Sequence, residues 1–162
     1  MANQEAAELR SEPYIKQMFE MLLGRQVKLS AAPAFKLARD PVVIATYVTE
    51  GGELGGVFVC DIAFGANVGA ALSLVPAPEA ASSIKKGQLG EPIFGNLREV
   101  INVASRLFTT PKTPRVILKE VMVYPCRLDP KLVQYLAKPE IRADFTVEVP
   151  GYGSGKFSLL CS

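Results

Sequence analysis

The sequence contains no histidine and no tryptophan. Without imidazole, the chain has no Ser–His–Asp or Cys–His nucleophilic machinery of its own, no HExxH zinc site and no His-ligated metal. Chemistry performed here must use carboxylates, amides, Lys, Arg or hydroxyls, or borrow reactive groups from a partner. Cysteine is scarce: Cys60, Cys126 and Cys161 form neither a CxxC pair nor a ligand-spaced cluster. A sparse, odd count reads as reduced thiols rather than a disulfide frame, and all three are expected to be small core hydrophobes. No apolar run approaches the ~20 residues of a membrane-spanning helix. The polar stretch from Met1 to Arg10 lacks the pattern of a secretory signal. A cytoplasmic protein without a membrane partner is therefore expected. An excess of charge of one sign is also lacking, with 18 Lys plus Arg against 16 Asp plus Glu. A net charge of +2 gives no electrostatic case for nucleic acid.

What is present is apolar. Of 162 residues, 49% are hydrophobic, which suits one domain with one sizeable core. Residues 1–12 read as a polar N-terminal extension and residues 13–162 as the domain. Ser11-Glu12-Pro13 is a helix start, and apolar residues from Tyr14 to Leu22 recur at helical spacing until Gly24. Strand-like runs follow at Gln26–Leu29, Val42–Val48 and Gly56–Ala63, the last two joined across Glu50-Gly51-Gly52-Glu53. Phe64–Val75 is helical, Pro76-Ala77-Pro78 a breaker, and Glu79–Lys86 a further short helix. A long amphipathic helix is expected over Pro92–Phe108, then a strand over Arg115–Tyr124 and a short helix or loop near Lys131–Leu136. Ile141–Val149 and Lys156–Cys161 form a terminal hairpin across Pro150–Gly155. The sum is an α+β fold, a mainly antiparallel sheet with a layer of helices.

Two glycine clusters resemble phosphate loops only superficially. Gly151–Lys156 joins two strands, and Phe157 stands where the loop hydroxyl belongs. A hairpin turn is the better reading. Gly65 and Gly69 lie on a helix and suit close packing.

The amphipathic helix carries the main signal. With Ile93 as origin at 100° per residue, Leu97, Val100, Ile101, Ala104, Leu107 and Phe108 fall on one apolar face. Gly95, Glu99, Asn102 and Arg106 fall together on the opposite side. A carboxylate and a carboxamide thus stand one turn apart on an exposed ridge. On helix physics alone, a solvated polar face is the better reading of such a ridge.

Glu99-Val100-Ile101-Asn102 resembles the Glu-x-x-Asn signature of the CheC/CheX/FliY chemotaxis phosphatases. The wider family pattern is Asp or Ser, three residues, Glu, two residues, Asn, then twenty-two residues and Pro, and Pro125 occupies that last position. The Leu22-Leu23-Gly24 helix end, the Gly51-Gly52 turn, the Ala-rich helix and Leu89 ten residues before Glu99 extend the likeness from about Pro13 to Ser162. It is similar to CheX in carrying one such motif, because Glu20 in the first helix is followed by Leu23 rather than Asn.

The resemblance implies a CheX-like fold and hydrolysis of the aspartyl phosphate on a CheY-like response regulator. It implies that Asn102 orients the attacking water and Glu99 pairs with the regulator's Lys. Gly95, Arg98 and Arg106 are the candidate partner-binding residues. The regulator supplies the Mg²⁺, so no cofactor of this chain's own is implied, and likeness to CheX implies a homodimer. Two departures stand out: Gly95 replaces the family's Asp or Ser, and Arg106 replaces a small residue. They leave open a module that binds a regulator, or itself, without turnover. A small-ligand domain with a pocket beside the glycine-rich turns is a third reading.

Overall fold

In the computed structural model, which describes residues 7–34, 37–38 and 40–162, the Ser11 hydroxyl accepts from the Tyr14 amide and starts α1 (Glu12–Leu23). Gly24 ends the helix in the left-handed region at φ 64°, where a side chain would be strained. The Val27 amide then donates to the Glu20 carboxylate at 3.2 Å, which keeps the chain in a turn. The first strand, β1 (Lys28–Ala31), consequently begins two residues later than its sequence suggests. Next come β2 (Val42–Thr49), β3 (Leu54–Asp61), α2 (Ile62–Leu72) and α3 (Ala77–Lys86). The expected breaker at Pro76–Pro78 is the start of α3, with proline in its first turn. The chain continues through α4 (Glu91–Val103), a 3-10 turn (Ala104–Phe108), β4 (Val116–Tyr124), α5 (Pro130–Ala137), β5 (Ile141–Val149) and β6 (Gly153–Cys161).

Among the described residues, six strands form one sheet in the order β1-β5-β6-β3-β2-β4, and every neighbouring pair is antiparallel. The α+β architecture read from the sequence is the one observed. Alternation sends Val43, Ala45 and Tyr47 of β2 toward the helices, and Val42, Ile44 and Thr46 toward the other face. The helical side holds the main core, where Phe19, Phe58, Phe64, Phe145 and Phe157 meet with ring centroids 5.2 to 5.9 Å apart. On the other side, Leu132 of α5 covers a smaller cluster of Val42, Ile44, Val57, Val59 and Leu160. Among the described residues, no helix is long and apolar enough to cross a membrane.

Two element boundaries move for identifiable reasons. Gly153 and Gly155, read as turn, belong to β6. A Cβ on Gly155 would lie 2.2 Å from the Phe64 Cα, so the glycine permits the start of α2 to lie directly on the strand. Ile62 and Ala63, read as strand, belong to α2 because Asp61 caps that helix. Its Oδ1 accepts from the amides of Phe64 at 2.7 Å and Lys156 at 3.1 Å.

Burial pushes the Asp61 pKa above its ordinary value, with the two amides and the Lys156 charge opposing the shift. A carboxyl that holds its proton more tightly when folded stabilises the protein most below its unfolded pKa. That contribution is lost as pH rises through the raised folded value. Asp61→Asn keeps an acceptor for both amides and does not titrate. Its stability relative to the parent is expected to rise with pH from 3.8 to the raised pKa, then level off. Denaturant unfolding at stepped pH checks this, and parallel curves would contradict it.

One cysteine departs from the expected core placement. Cys60 and Cys161 are buried, but Cys126 is exposed, because it follows Pro125 in the loop beyond the edge strand β4. Burial pushes the Cys161 thiol up to about 11. Of the N-terminal extension, residues 1–6 lie outside the described residues. Ala7 and Leu9 pack on the core, and the Arg10 amide donates to the Leu107 carbonyl at 3.0 Å.

Candidate functional site

Gly90, in extended conformation, and Pro92 in the first turn set the start of α4. Ile93, Leu97, Val100 and Ile101 bury one face of the helix against the core. The opposite face presents Gly95, Arg98, Glu99 and Asn102, all exposed, as the periodicity requires. Among the described residues, neither the Glu99 carboxylate nor the Asn102 carboxamide has a hydrogen-bond partner, and Arg98 and Arg106 have no ion-pair partner. The ridge therefore offers an acceptor, an amide and the Arg98 cation, with Arg106 beside it, to a partner without first breaking contacts to the described residues.

Both ends of α4 are fixed. Asn96 Nδ2 donates to the Gly69 carbonyl at 2.9 Å and to Ser73 Oγ at 2.6 Å, tying the helix to α2. A Cβ on Gly69 would stand 2.7 Å from the Ile93 carbonyl oxygen, so the two helices touch through backbone there. At the other end, the Tyr47 hydroxyl donates to the Ile101 carbonyl at 2.6 Å. Neither Asn96 nor Tyr47 stands out in the sequence. The one signal present is a tyrosine within an apolar strand, whose hydroxyl needs a partner once buried.

Arg106 is exposed as expected, but it does not simply extend the ridge. The expected single helix over Pro92–Phe108 tightens to 3-10 geometry at Ala104. A 3-10 turn advances about 120° per residue rather than 100°, and Arg106 lines a groove beside α1. Tyr14, Gln17, Met18, Met21, Leu22 and Val103 complete that groove, which holds about 330 Å³. Met21 is 73% exposed there. In α1, Glu20 is committed to the Val27 amide and Leu23 stands three residues on, so this helix carries no second Glu-x-x-Asn pair.

Gly95 sits in open space, with no atom within 4 Å of the point a Cβ would occupy. Nothing in the fold requires glycine, so Gly95→Ala is expected to raise stability by about 0.5–1 kcal/mol through helix propensity. The midpoint of denaturant unfolding measures this, and a loss of stability would contradict it. On the opposite face of the sheet, a cleft of about 570 Å³ lies beside Gly51 and Gly52, between β4 and α5. Among the described residues, no group of three or more Cys, Asp or Glu side chains is arranged to hold a metal ion.

No family model and no curated protein matches the chain. Solved structures do match in fold. The FliM middle domain of Vibrio alginolyticus aligns with a TM-score of 0.60 at 9% identity, covering 91% of this chain and 86% of that one. FliY of Thermotoga maritima aligns at 0.56 and 13% identity, covering 91% and 81%. The CheX–CheY–BeF3–Mg²⁺ complex of Borrelia burgdorferi contributes a chain that aligns at 0.55 and 15% identity, covering 92% and 95%. The chain has the fold of CheX, FliY and the FliM middle domain. At these identities the likeness is one of fold.

Proposed function

We propose that this CheX-like domain dephosphorylates the aspartyl phosphate of a CheY-like response regulator. The observation that supports it is the placement of Glu99 and Asn102. They stand one helical turn apart, exposed and unpaired among the described residues, on a helix fixed at both ends. A fold neighbour that forms a complex with CheY favours the same kind of partner.

An acyl phosphate is already a good electrophile, and the regulator's Mg²⁺ neutralises its oxygens. The remaining need is a water held in line with the phosphorus. The Asn102 carboxamide holds that water by hydrogen bonds. Attack forms the new phosphorus–oxygen bond as the bond to the aspartyl oxygen breaks. The aspartate leaves as carboxylate, and the water's protons pass to phosphate and solvent. Glu99 pairs with the regulator's active-site Lys and sets the register of the docked helix. Arg98 and Arg106 meet acidic surface on the regulator, and Gly95 leaves room for close approach. Histidine is unnecessary throughout, and no covalent intermediate forms on this chain.

Substoichiometric protein added to phosphorylated regulators of its host should accelerate phosphate release over many turnovers. No acceleration with any of them overturns the proposal. Gly95 and Arg106 favour one other reading, a module that docks the same way without turnover, and the same assay with a binding titration separates the two. For assembly we propose a homodimer through sheet edges. Among the described residues, no strand pairs with the outer side of β4, whose Ile117 and Val123 are 55% and 44% exposed. Sizing at micromolar concentration should report two chains, and a monomer contradicts it.

A further inference from the structure

Tyr47 lies in the middle of β2, on the side facing the helices, and is fully buried. Its ring packs on Phe108, with centroids 4.8 Å apart, beneath the 3-10 turn. Its hydroxyl reaches the Ile101 carbonyl, one residue before Asn102. Ile101 is among the last four residues of α4, whose carbonyls lose their regular partners as a helix ends. Tyr47 thus bonds the helix at the point where its backbone changes geometry and Asn102 projects. Burial holds the hydroxyl's pKa well above its ordinary value, so it remains a donor across the neutral range.

We propose that Tyr47 is the positioning residue for Asn102, its hydroxyl fixing the last α-helical turn of α4 so that the carboxamide meets water and phosphorus in line. The inference rests on the role proposed above for Asn102. The physical reason is leverage. Asn102 is one residue from the helix end, where backbone frays most readily. A shift of about 1 Å at a positioning group is enough to cost on the order of 100-fold in rate. Asn96 secures the N-terminal half of α4 against α2, but it is six residues away from Asn102 along the helix. Among the described residues, the Tyr47 bond is the side-chain bond that reaches the reactive end of α4.

Tyr47→Phe removes only the hydroxyl and keeps the packing on Phe108. Its kcat for regulator dephosphorylation is expected to fall about 10- to 100-fold, with regulator affinity within about twofold of the parent. Phe145→Leu, in β5 away from α4, supplies a control that loosens the core without touching this bond. It should keep the parental kcat. A parental kcat in Tyr47→Phe, with an active parent, overturns the inference and leaves the phosphatase reading standing. Equal kcat losses in both variants also overturn it, since the loss then follows stability alone. Hydrogen exchange gives a readout independent of turnover, so the hydroxyl's hold on the end of α4 is tested whether or not the parent is active. Amides of residues 102–106 should exchange at least about tenfold faster in Tyr47→Phe, with those of residues 95–99 unchanged. Unaltered exchange across 102–106 overturns the inference.

Discussion

Replacing Asn102 with Ala is expected to leave a folded protein that binds its regulator and no longer accelerates phosphate loss. The side chain is exposed and makes no hydrogen bond to any described residue, so its removal costs the fold little. Alanine is also the better helix former. The loss falls on the chemistry. Removing one preorganised hydrogen-bonding group from a transition state commonly costs about 10²–10³ in rate, and here the carboxamide is the only group assigned to the water. Catalysed turnover should therefore drop by at least about 100-fold, with the regulator's own slow hydrolysis remaining. Glu99→Gln should behave differently. It keeps the shape but loses the charge proposed to pair with the regulator's Lys, so affinity should weaken by about tenfold or more and depend less on salt. At saturating regulator, much of the rate should return. Phosphate release measured alongside a binding titration separates the two effects. A fall in affinity for Asn102→Ala with an unchanged saturated rate would reverse the proposed roles.

The second large effect concerns stability. Phe157 is fully buried in β6 and meets Phe19, Phe58, Phe64 and Phe145 with centroids 5.2 to 5.7 Å away. It joins α1, α2 and three strands at one point. Truncating a buried Phe to Ala costs about 3–5 kcal/mol in transfer and cavity terms. A domain's whole stability is about 5–15 kcal/mol. Phe157→Ala should therefore lower Tm by roughly 10 °C or more, or leave the chain largely unfolded at 37 °C. Phe157→Leu should recover much of the loss, because it refills most of the volume. Thermal unfolding of both variants tests this. A Phe157→Ala protein as stable as the parent would show that the cluster is not the centre of the core.

The parts of the fold legible in the sequence are those governed by local pattern. The faces of α1 and α4, the apolar β2 and the capping Ser11 and Gly24 follow from residue spacing and turn chemistry. The misplaced boundaries are those set by contacts that residue composition does not reveal. Gly153 and Gly155 have turn-like composition, yet they are strand residues because α2 packs onto them. Ile62 and Ala63 suit a strand equally well, and only the Asp61 cap assigns them to helix. Cys126 has the same side chain as Cys60 and Cys161, and only its place beyond the edge strand leaves it exposed. The ridge itself was legible, since exposure of Glu99 and Asn102 follows from the 3.6-residue period. What fixes it was not. The bond from Tyr47 to Ile101 spans 54 residues, and the change to 3-10 geometry that turns Arg106 toward α1 has no clear local marker.

The most direct test of docking at this ridge is an amide chemical-shift titration. Isotope-labelled protein is titrated with a CheY-like regulator held in its phosphorylated form by BeF3 and Mg²⁺. Perturbations should centre on residues 95–106, with the Asn102 side-chain amide among the largest, and should be absent when the regulator carries Mg²⁺ without BeF3. Perturbations confined to the opposite face, around Thr46, Lys119 and Lys131, would contradict the assignment of the site to α4.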